Sequence, residues 1–280
     1  MKKQKIMISA VLALVLAVNA AAAVTVKGST TVLPFAQKAA EVYMNNNPGK
    51  DVTVAGGGSG VGIAALIDGT TDIATSSRII KDSERAVFEG NLTVYEVAQD
   101  AVALIVNSSN KVNNLTQEQV KKIYSGQVKN WKEVGGGDVK IILITRETTS
   151  GTFEAFKTFT GLSRLKGSQA VSNAAVATAV AQAPGAVGYV GLDFTQRDGV
   201  KPLTLDGVMP SAESVTKRTY PYSRFLYMAA KANARQEVKD FVTFVQSDAG
   251  QKIAEGVGLV PMYHEQPKKA EPAYDAKTDK

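Results

Sequence analysis

From Val24 onward the chain alternates short β-rich runs with helix-patterned stretches, and it does so almost to its end. Strand-like "AVTV", "DVTV", "DIATS", "LTVYEVA", "AVALIVN", "VKIILIT", "AVGYVGL" and "YSRFLYMAA" are separated by segments such as 32–46, whose Phe35, Ala39, Val42 and Tyr43 keep to one helical face. That alternation predicts an α/β fold layered on a largely parallel sheet. With 280 residues, 44% of them hydrophobic, the chain is long enough for two lobes sharing one ligand. Extended crossovers are expected near "AVALIVN" and "YPYSRFLYM", dividing the chain into lobe 1 (24–102 plus 224–264) and lobe 2 (103–223), with the cleft between them as the place for a ligand.

The two ends read as something other than fold. "MKKQK", the apolar "IMISAVLALVLAV" and the small residues "NAAAAV" have the make-up of a cleaved signal peptide over 1–23. The apolar part is too short to span a bilayer. Residues 265–280 are charged and contain proline, as a flexible tail does. Export to the periplasm is the expected destination. Loss of Lys2, Lys3 and Lys5 with the leader lowers the formal charge from +6 to +3, which removes the main support for nucleic-acid binding but leaves a field that attracts small anions.

Four loops, each following a predicted strand, share one chemistry: "GSTT" at 28–31, "GGGSG" at 56–60, "TSSR" at 75–78 and "RETTSGT" at 146–152. In three of them glycine and hydroxyl residues stand where a helix begins, so unpaired N–H groups and the positive end of the helix dipole face outward. Glycine lets backbone approach a ligand closely, and Ser and Thr donate hydroxyl protons. Arg146 adds a planar fork of donors suited to two oxygens of an oxyanion. The candidate binding residues are Ser29, Thr30, Thr31, Ser59, Gly60, Ser76, Ser77, Arg78, Asp100, Arg146, Ser150, Gly151 and Thr152. Any one of these loops alone is explained better by helix capping than by a ligand; four together, two with arginine, favour a ligand. Arg78 has the alternative of an ion pair with Asp82 or Glu84.

The order "GSTT", "GGGSGVGIAAL", "DIATSSR", "QDAVALIVN", "LTQEQVKKIYSGQVKNWKEVGG", "RETTSGTFEAF", "GAVGYVG" resembles the substrate-binding proteins of phosphate ABC transporters, the PstS family, over nearly the whole mature chain. The resemblance implies a two-lobed periplasmic-binding-protein fold (type II) that closes on inorganic phosphate and delivers it to a membrane permease of an ABC transporter. It places Thr30, Thr31 and Ser59 on one side of the ion and Arg146, Ser150, Gly151 and Thr152 on the other, with Trp131 and Tyr124 as packing. Many relatives carry a proton-accepting aspartate where this chain has Ser77, which makes Asp100 the candidate acceptor here, with a helix cap or a pairing with Arg146 as its alternative. The carboxylate that orients the arginine in many relatives falls at Thr148, so Glu147 is the expected partner of Arg146.

Other classes fare worse. Sulfate, molybdate or tungstate would suit the same donors. A hydrolase with Ser59 or Ser150 as nucleophile lacks a base, since His264 is the one histidine, and "GGSGV" does not fit a nucleophile elbow. Without cysteine there is no thiol chemistry, and no phosphate-loop, dinucleotide or zinc-protease motif occurs. No cofactor, no metal and a monomer are expected.

Overall fold

The computed structural model describes residues 23–262; the expected leader (apart from Ala23), His264 and the tail over 265–280 lie outside the described residues. The chain opens with β1 (Val24–Gly28), α1 (Leu33–Asn46), β2 (Val52–Ala55), α2 (Ser59–Ile67), β3 (Ile73–Ser76), α3 (Asp82–Ala86) and β4 (Thr93–Ala101). It continues through β5 (Ala103–Asn107), β6 (Asn114–Leu115), α4 (Gln117–Ser125), β7 (Ile142–Arg146), α5 (Gly151–Thr160), β8 (Ser168–Ala170), α6 (Asn173–Gln182) and β9 (Ala186–Val190). Last come β10 (Val200–Pro202), β11 (Thr204–Leu205), α7 (Ala212–Thr216), β12 (Ser223–Ala230), α8 (Gln236–Gln246) and α9 (Asp248–Gly256).

The strands form two five-stranded sheets, ordered β2-β1-β3-β12-β4 and β10-β5-β9-β7-β8, and a small β11-β6 pair. Each large sheet is half parallel and half antiparallel, which corrects the expectation of a largely parallel sheet: β2, β1 and β3 run together, whereas β12 runs against both β3 and β4. In the second sheet β9, β7 and β8 are parallel and β5 opposes β9 and β10. The reason is connectivity. β4 passes straight into β5, and β12 arrives from the second sheet's side of the molecule, so neither is preceded by the helical crossover that a parallel neighbour requires.

Apolar periodicity explains the packing. On α1, Phe35, Ala36, Ala39, Ala40 and Tyr43 are buried, the spacing of one helical stripe, and Pro34 sits in the first turn where its missing N–H is no loss. That stripe joins Val24, Val26, Met228, Phe241 and Val245 in the core of the first sheet. The second sheet's core gathers Tyr124, Trp131, Phe156, Tyr189 and Tyr222. Phe156 stacks on Tyr189 with ring centroids 3.9 Å apart, and Trp131 Nε1 donates to the Gly185 carbonyl. Tyr124 and Trp131 therefore pack, as their sequence context implied.

Gly62 fixes how deeply α2 seats on β1, because a side chain there would strike the Lys27 carbonyl and the Gly28 backbone. Gly62→Ala is expected to lower stability by about 1–3 kcal/mol through overpacking, while Gly256→Ala, which has nothing within 4 Å, leaves it unchanged or raises it. Denaturant melts of the two variants check the contrast.

Candidate functional site

Three of the four glycine and hydroxyl loops converge with the start of a fourth helix. β1 leads through 28–31 into α1, the 56–58 glycines lead into α2, β7 leads through 147–150 into α5, and Ser172 caps α6. Ligand crevices in α/β sheets lie at such carboxyl ends of strands. Here α1 and α2 come from the first sheet and α5 and α6 from the second. The loops touch directly: the Gly60 N–H donates to the Thr149 carbonyl at 2.9 Å. A side chain on Gly151 would collide with Ser59 Oγ and Ser77 Oγ, so glycine at 151 is what lets α5 approach α2.

At the centre lies Arg146, 1% exposed. Its Nε donates to the Ala170 carbonyl at 3.0 Å, and one terminal nitrogen donates to the Val171 carbonyl and to Thr30 Oγ1, both at 3.2 Å. The other, Nη1, is buried and has no hydrogen-bond partner. Burial pushes the guanidinium down to about 10, and Arg224 adds to that, so it remains charged at neutral pH. The expected Glu147 partner makes no ion pair with it among the described residues, although its charge acts on the guanidinium from a distance; backbone carbonyls orient the side chain instead.

Around it the hydroxyls are short of acceptors. Thr30 Oγ1 accepts from Arg146 and from Asn173 Nδ2 at 3.4 Å. Thr31 Oγ1 accepts from Asn173 Nδ2 at 2.9 Å and from Arg224 at 3.4 Å. A hydroxyl whose two lone pairs are taken must give its own proton to something else. Thr31 shares a 3.1 Å contact with Thr152 Oγ1, which in turn accepts from Arg224 at 3.2 Å. Ser59 Oγ accepts the Ser77 N–H at 3.0 Å and lies 3.4 Å from Ser77 Oγ. The place thus has more donors than acceptors.

Thr30, Thr31, Ser59, Ser77, Asp100, Arg146, Gly151 and Thr152 come together. The rest of the sequence candidates serve nearby. Ser29 Oγ accepts the Thr31 and Val32 N–H groups and Ser150 Oγ accepts the Phe153 N–H, both capping their helices; Gly60 spends its N–H on Thr149. Ser76 Oγ donates to the Arg78 carbonyl at 2.7 Å and braces that turn. Arg78 turns away from the cluster into a two-pronged pair with Glu84, at 2.8 and 2.6 Å, which draws the Glu84 carboxyl below its usual range against the upward push of burial. Asp100, fully buried, faces neither Arg146 nor open space: Oδ1 accepts the Leu192 N–H at 2.8 Å and Oδ2 accepts from Arg224 at 2.7 and 3.0 Å.

Arg224 and Asn173 are the site residues that sequence reasoning missed. Arg224 sits in β12, ties Asp100 to Thr31 and Thr152, and also donates to the Ser77 carbonyl at 3.0 Å. A lone cation inside the otherwise aromatic "YPYSRFLYM" was the available signal. Asn173, 0% exposed, opens α6 behind its Ser172 cap. A groove of about 360 Å³ beside the cluster shares Ser77 and Arg224 with it, but Ala155, Phe159, Phe225 and Tyr227 make its lining mainly apolar, the wrong surface for an anion.

Comparison with known proteins shows the family. The model of the PBP superfamily domain matches residues 17–249. The chain is 32% identical over 247 residues to the phosphate-binding protein PstS of Bacillus subtilis strain 168, covering 87% of this chain and 82% of that one. With the PstS of Borreliella burgdorferi it shares 31% over 251 residues, 85% of this chain and 89% of that one. Among solved structures, a substrate-binding protein of Clostridium perfringens assigned to phosphate ABC transport, with phosphate bound, superposes with a TM-score of 0.83 at 30% identity, over 86% of this chain and all of that one. An ABC-type phosphate transport receptor from Vibrio cholerae gives 0.72 at 33% identity, over 85% of this chain and 99% of that one. The chain belongs to the PBP superfamily and, within it, to the PstS family of phosphate-binding proteins.

Proposed function

We propose that this protein captures inorganic phosphate between its two sheets and hands it to the membrane permease of an ABC transporter. The observation that carries the reading is the buried, partnerless Nη1 of Arg146 beside Thr30 and Thr31, whose oxygens already accept two donors each. A small oxyanion supplies the acceptors such a place lacks, and a charge-assisted bond to guanidinium is stronger than a neutral one. The relatives named above as phosphate-binding and phosphate-transport proteins support phosphate over sulfate, molybdate or tungstate. They are receptors rather than enzymes, and the chain is read as non-catalytic.

In this reading 24–102 plus 224–264 form one lobe and 103–223 the other. Thr30, Thr31, Ser59 and Ser77 make one half-site, with Arg146, Gly151, Thr152 and Asn173 making the other. Neither half is complete alone, so the ion favours the closed arrangement, and its differential affinity for that form sets the population shift. Export through residues 1–23 to the periplasm and a monomeric state fit a receptor whose rim must remain free for its permease. Hydrogen phosphate also brings a proton that needs an acceptor. Both oxygens of Asp100 are engaged, which leaves the hydroxyls of Ser59 and Ser77, able to accept as well as donate, as the groups that distinguish it from sulfate.

Calorimetric titration with phosphate and with sulfate tests the reading: phosphate is expected to bind and sulfate to compete weakly, and equal affinity for the two would reduce the protein to a general oxyanion receptor. Arg146→Ala is expected to cost about 2–5 kcal/mol of phosphate affinity, roughly 30-fold or more, with Arg146→Lys recovering little because the fork geometry is lost. An Arg146→Ala variant that binds like the parent would remove the site. Asp100→Ala, which strands the buried Arg224 (side chains 0% and 6% exposed), is expected to lower stability by about 3–5 kcal/mol in a denaturant melt.

A further inference from the structure

Asp193 is a half-buried residue that the binding scheme above does not use. It lies in the short turn Leu192–Phe194 that follows β9, and its Oδ1 is buried without a hydrogen-bond partner. Two parts of the first sheet's side of the molecule press on it. A Cβ on Gly258, in the loop after α9, would lie 3.4 Å from the Asp193 Cβ. The point where a Gly191 side chain would begin is 2.9 Å from Asp193 Oδ1, 3.3 Å from Asp100 Oδ2 and 2.8 Å from the Thr31 methyl, so the two carboxyls and a ligand-loop residue crowd one spot.

The charged groups around it do not supply a counterion of its own. Asp100, on β4, faces it with like charge. Arg224, on β12, is already held by Asp100 at 2.7 Å. Arg197, beyond the turn, lies over the Phe194 ring at 5.2 Å from its centroid. The loop 256–260 and the first turn of α6 carry no ionisable side chain. An ionised carboxylate in that place leaves its buried Oδ1 unpartnered, and its own backbone N–H and the charges of Arg224 and Arg197 offset that only in part. Burial, and after it the facing Asp100, push the Asp193 carboxyl well above the usual carboxylate range.

We propose that Asp193 is the proton-carrying group of the closed site, neutral beside Asp100 when the two lobes meet around the ion and ionised when they part, so that phosphate capture takes up one proton from solvent onto this carboxylate. The inference rests on the phosphate reading. It depends on contact from both sides: the turn follows β9 of the second sheet, whereas Asp100 lies in β4 of the first and Gly258 follows α9, and on this proposal parting them gives Asp193 more water. The sign follows from linkage. A carboxyl whose value is higher in the closed form favours closure at low pH, and that contribution is lost progressively as pH rises from the ordinary carboxylate value to the raised one. Capture then weakens as the surroundings become alkaline, apart from any effect of the ligand's own ionisation.

The test is the dissociation constant for inorganic phosphate of the parent and of Asp193→Asn, measured from pH 5.5 to 8.5. Asn has the shape of the neutral acid and cannot ionise. Phosphate's own ionisation affects both proteins alike and cancels in the ratio. The ratio of parent to variant constants is expected to climb with pH, approaching tenfold per unit, with the variant the tighter binder at the alkaline end. A ratio that stays flat while both proteins bind phosphate overturns the role of Asp193 and leaves the phosphate reading standing. Failure of both to bind phosphate removes that reading and this inference with it. In a thermal melt at pH 8 with saturating phosphate the variant is expected to be at least as stable as the parent, and a variant destabilised under those conditions counts against a neutral carboxyl in the closed form.

Discussion

A positive charge has been carried into the interior without an ion pair among the described residues. Arg146 is tethered by two main-chain carbonyls and a threonine, none of which bears a full negative charge. Removing an ion from water costs several kcal/mol even after relaxation, so a fold keeps such a group only where something repays the cost. The neighbouring pair shows the alternative: Arg224 and Asp100 neutralise each other at 2.7 Å and act as a rigid strut. The cluster thus has one closed pair and one open charge, and the open charge is the part that the proposed reading gives to the ligand.

The rest of the architecture serves that arrangement. Helix N-termini converge only if the strands feeding them end at the same level, and the two sheets meet with β1, β3 and β7 delivering their loops to one seam. Gly62 and Gly151 work at the two interfaces this needs, one between α2 and β1 and one between α5 and α2. The antiparallel strands matter equally. Because β12 runs against both β3 and β4, Arg224 is set opposite Asp100 in register and level with Ser77, where a parallel crossover strand would have delivered its side chains from the opposite end.

Much of this was legible in the sequence, and the limits have physical causes. Loops such as "GSTT" and "RETTSGT" announce themselves because capping, dipole and glycine conformation are local properties, set by residues a few positions apart. At Ser29 and Ser150 the hydroxyl oxygens accept N–H groups of their own helices, which leaves their protons as what they can offer elsewhere. Arg78 looks like a ligand residue beside two serines, yet Glu84 six residues on captures it. Arg224 and Asn173 escaped because their meaning comes from partners 124 and 142 residues away, separations for which no periodicity or spacing gives a sign. The mixed sheets were missed for a related reason: alternation of helix and strand fixes layering, but strand direction depends on which connections skip the helix.

Charge placement also limits how selectivity can arise. A receptor that distinguished hydrogen phosphate by a free carboxylate would set a second negative charge against a dianion, and it would need the arginine to hold both. Here the carboxylate nearest the hydroxyl ring is committed to Arg224, and the next, Asp193, has no cation of its own. On the proposed reading, what faces the ion is therefore guanidinium, amide and hydroxyl. Hydroxyls have the advantage of turning: Ser59 or Ser77 can donate to an unprotonated oxygen or accept from a protonated one without moving a heavy atom. A ring of that kind tolerates either ionisation state of phosphate, and its discrimination against sulfate rests on how many of those hydroxyls have a lone pair left, a quantity that Arg224 and Asn173 control by occupying Thr30, Thr31 and Thr152 from behind.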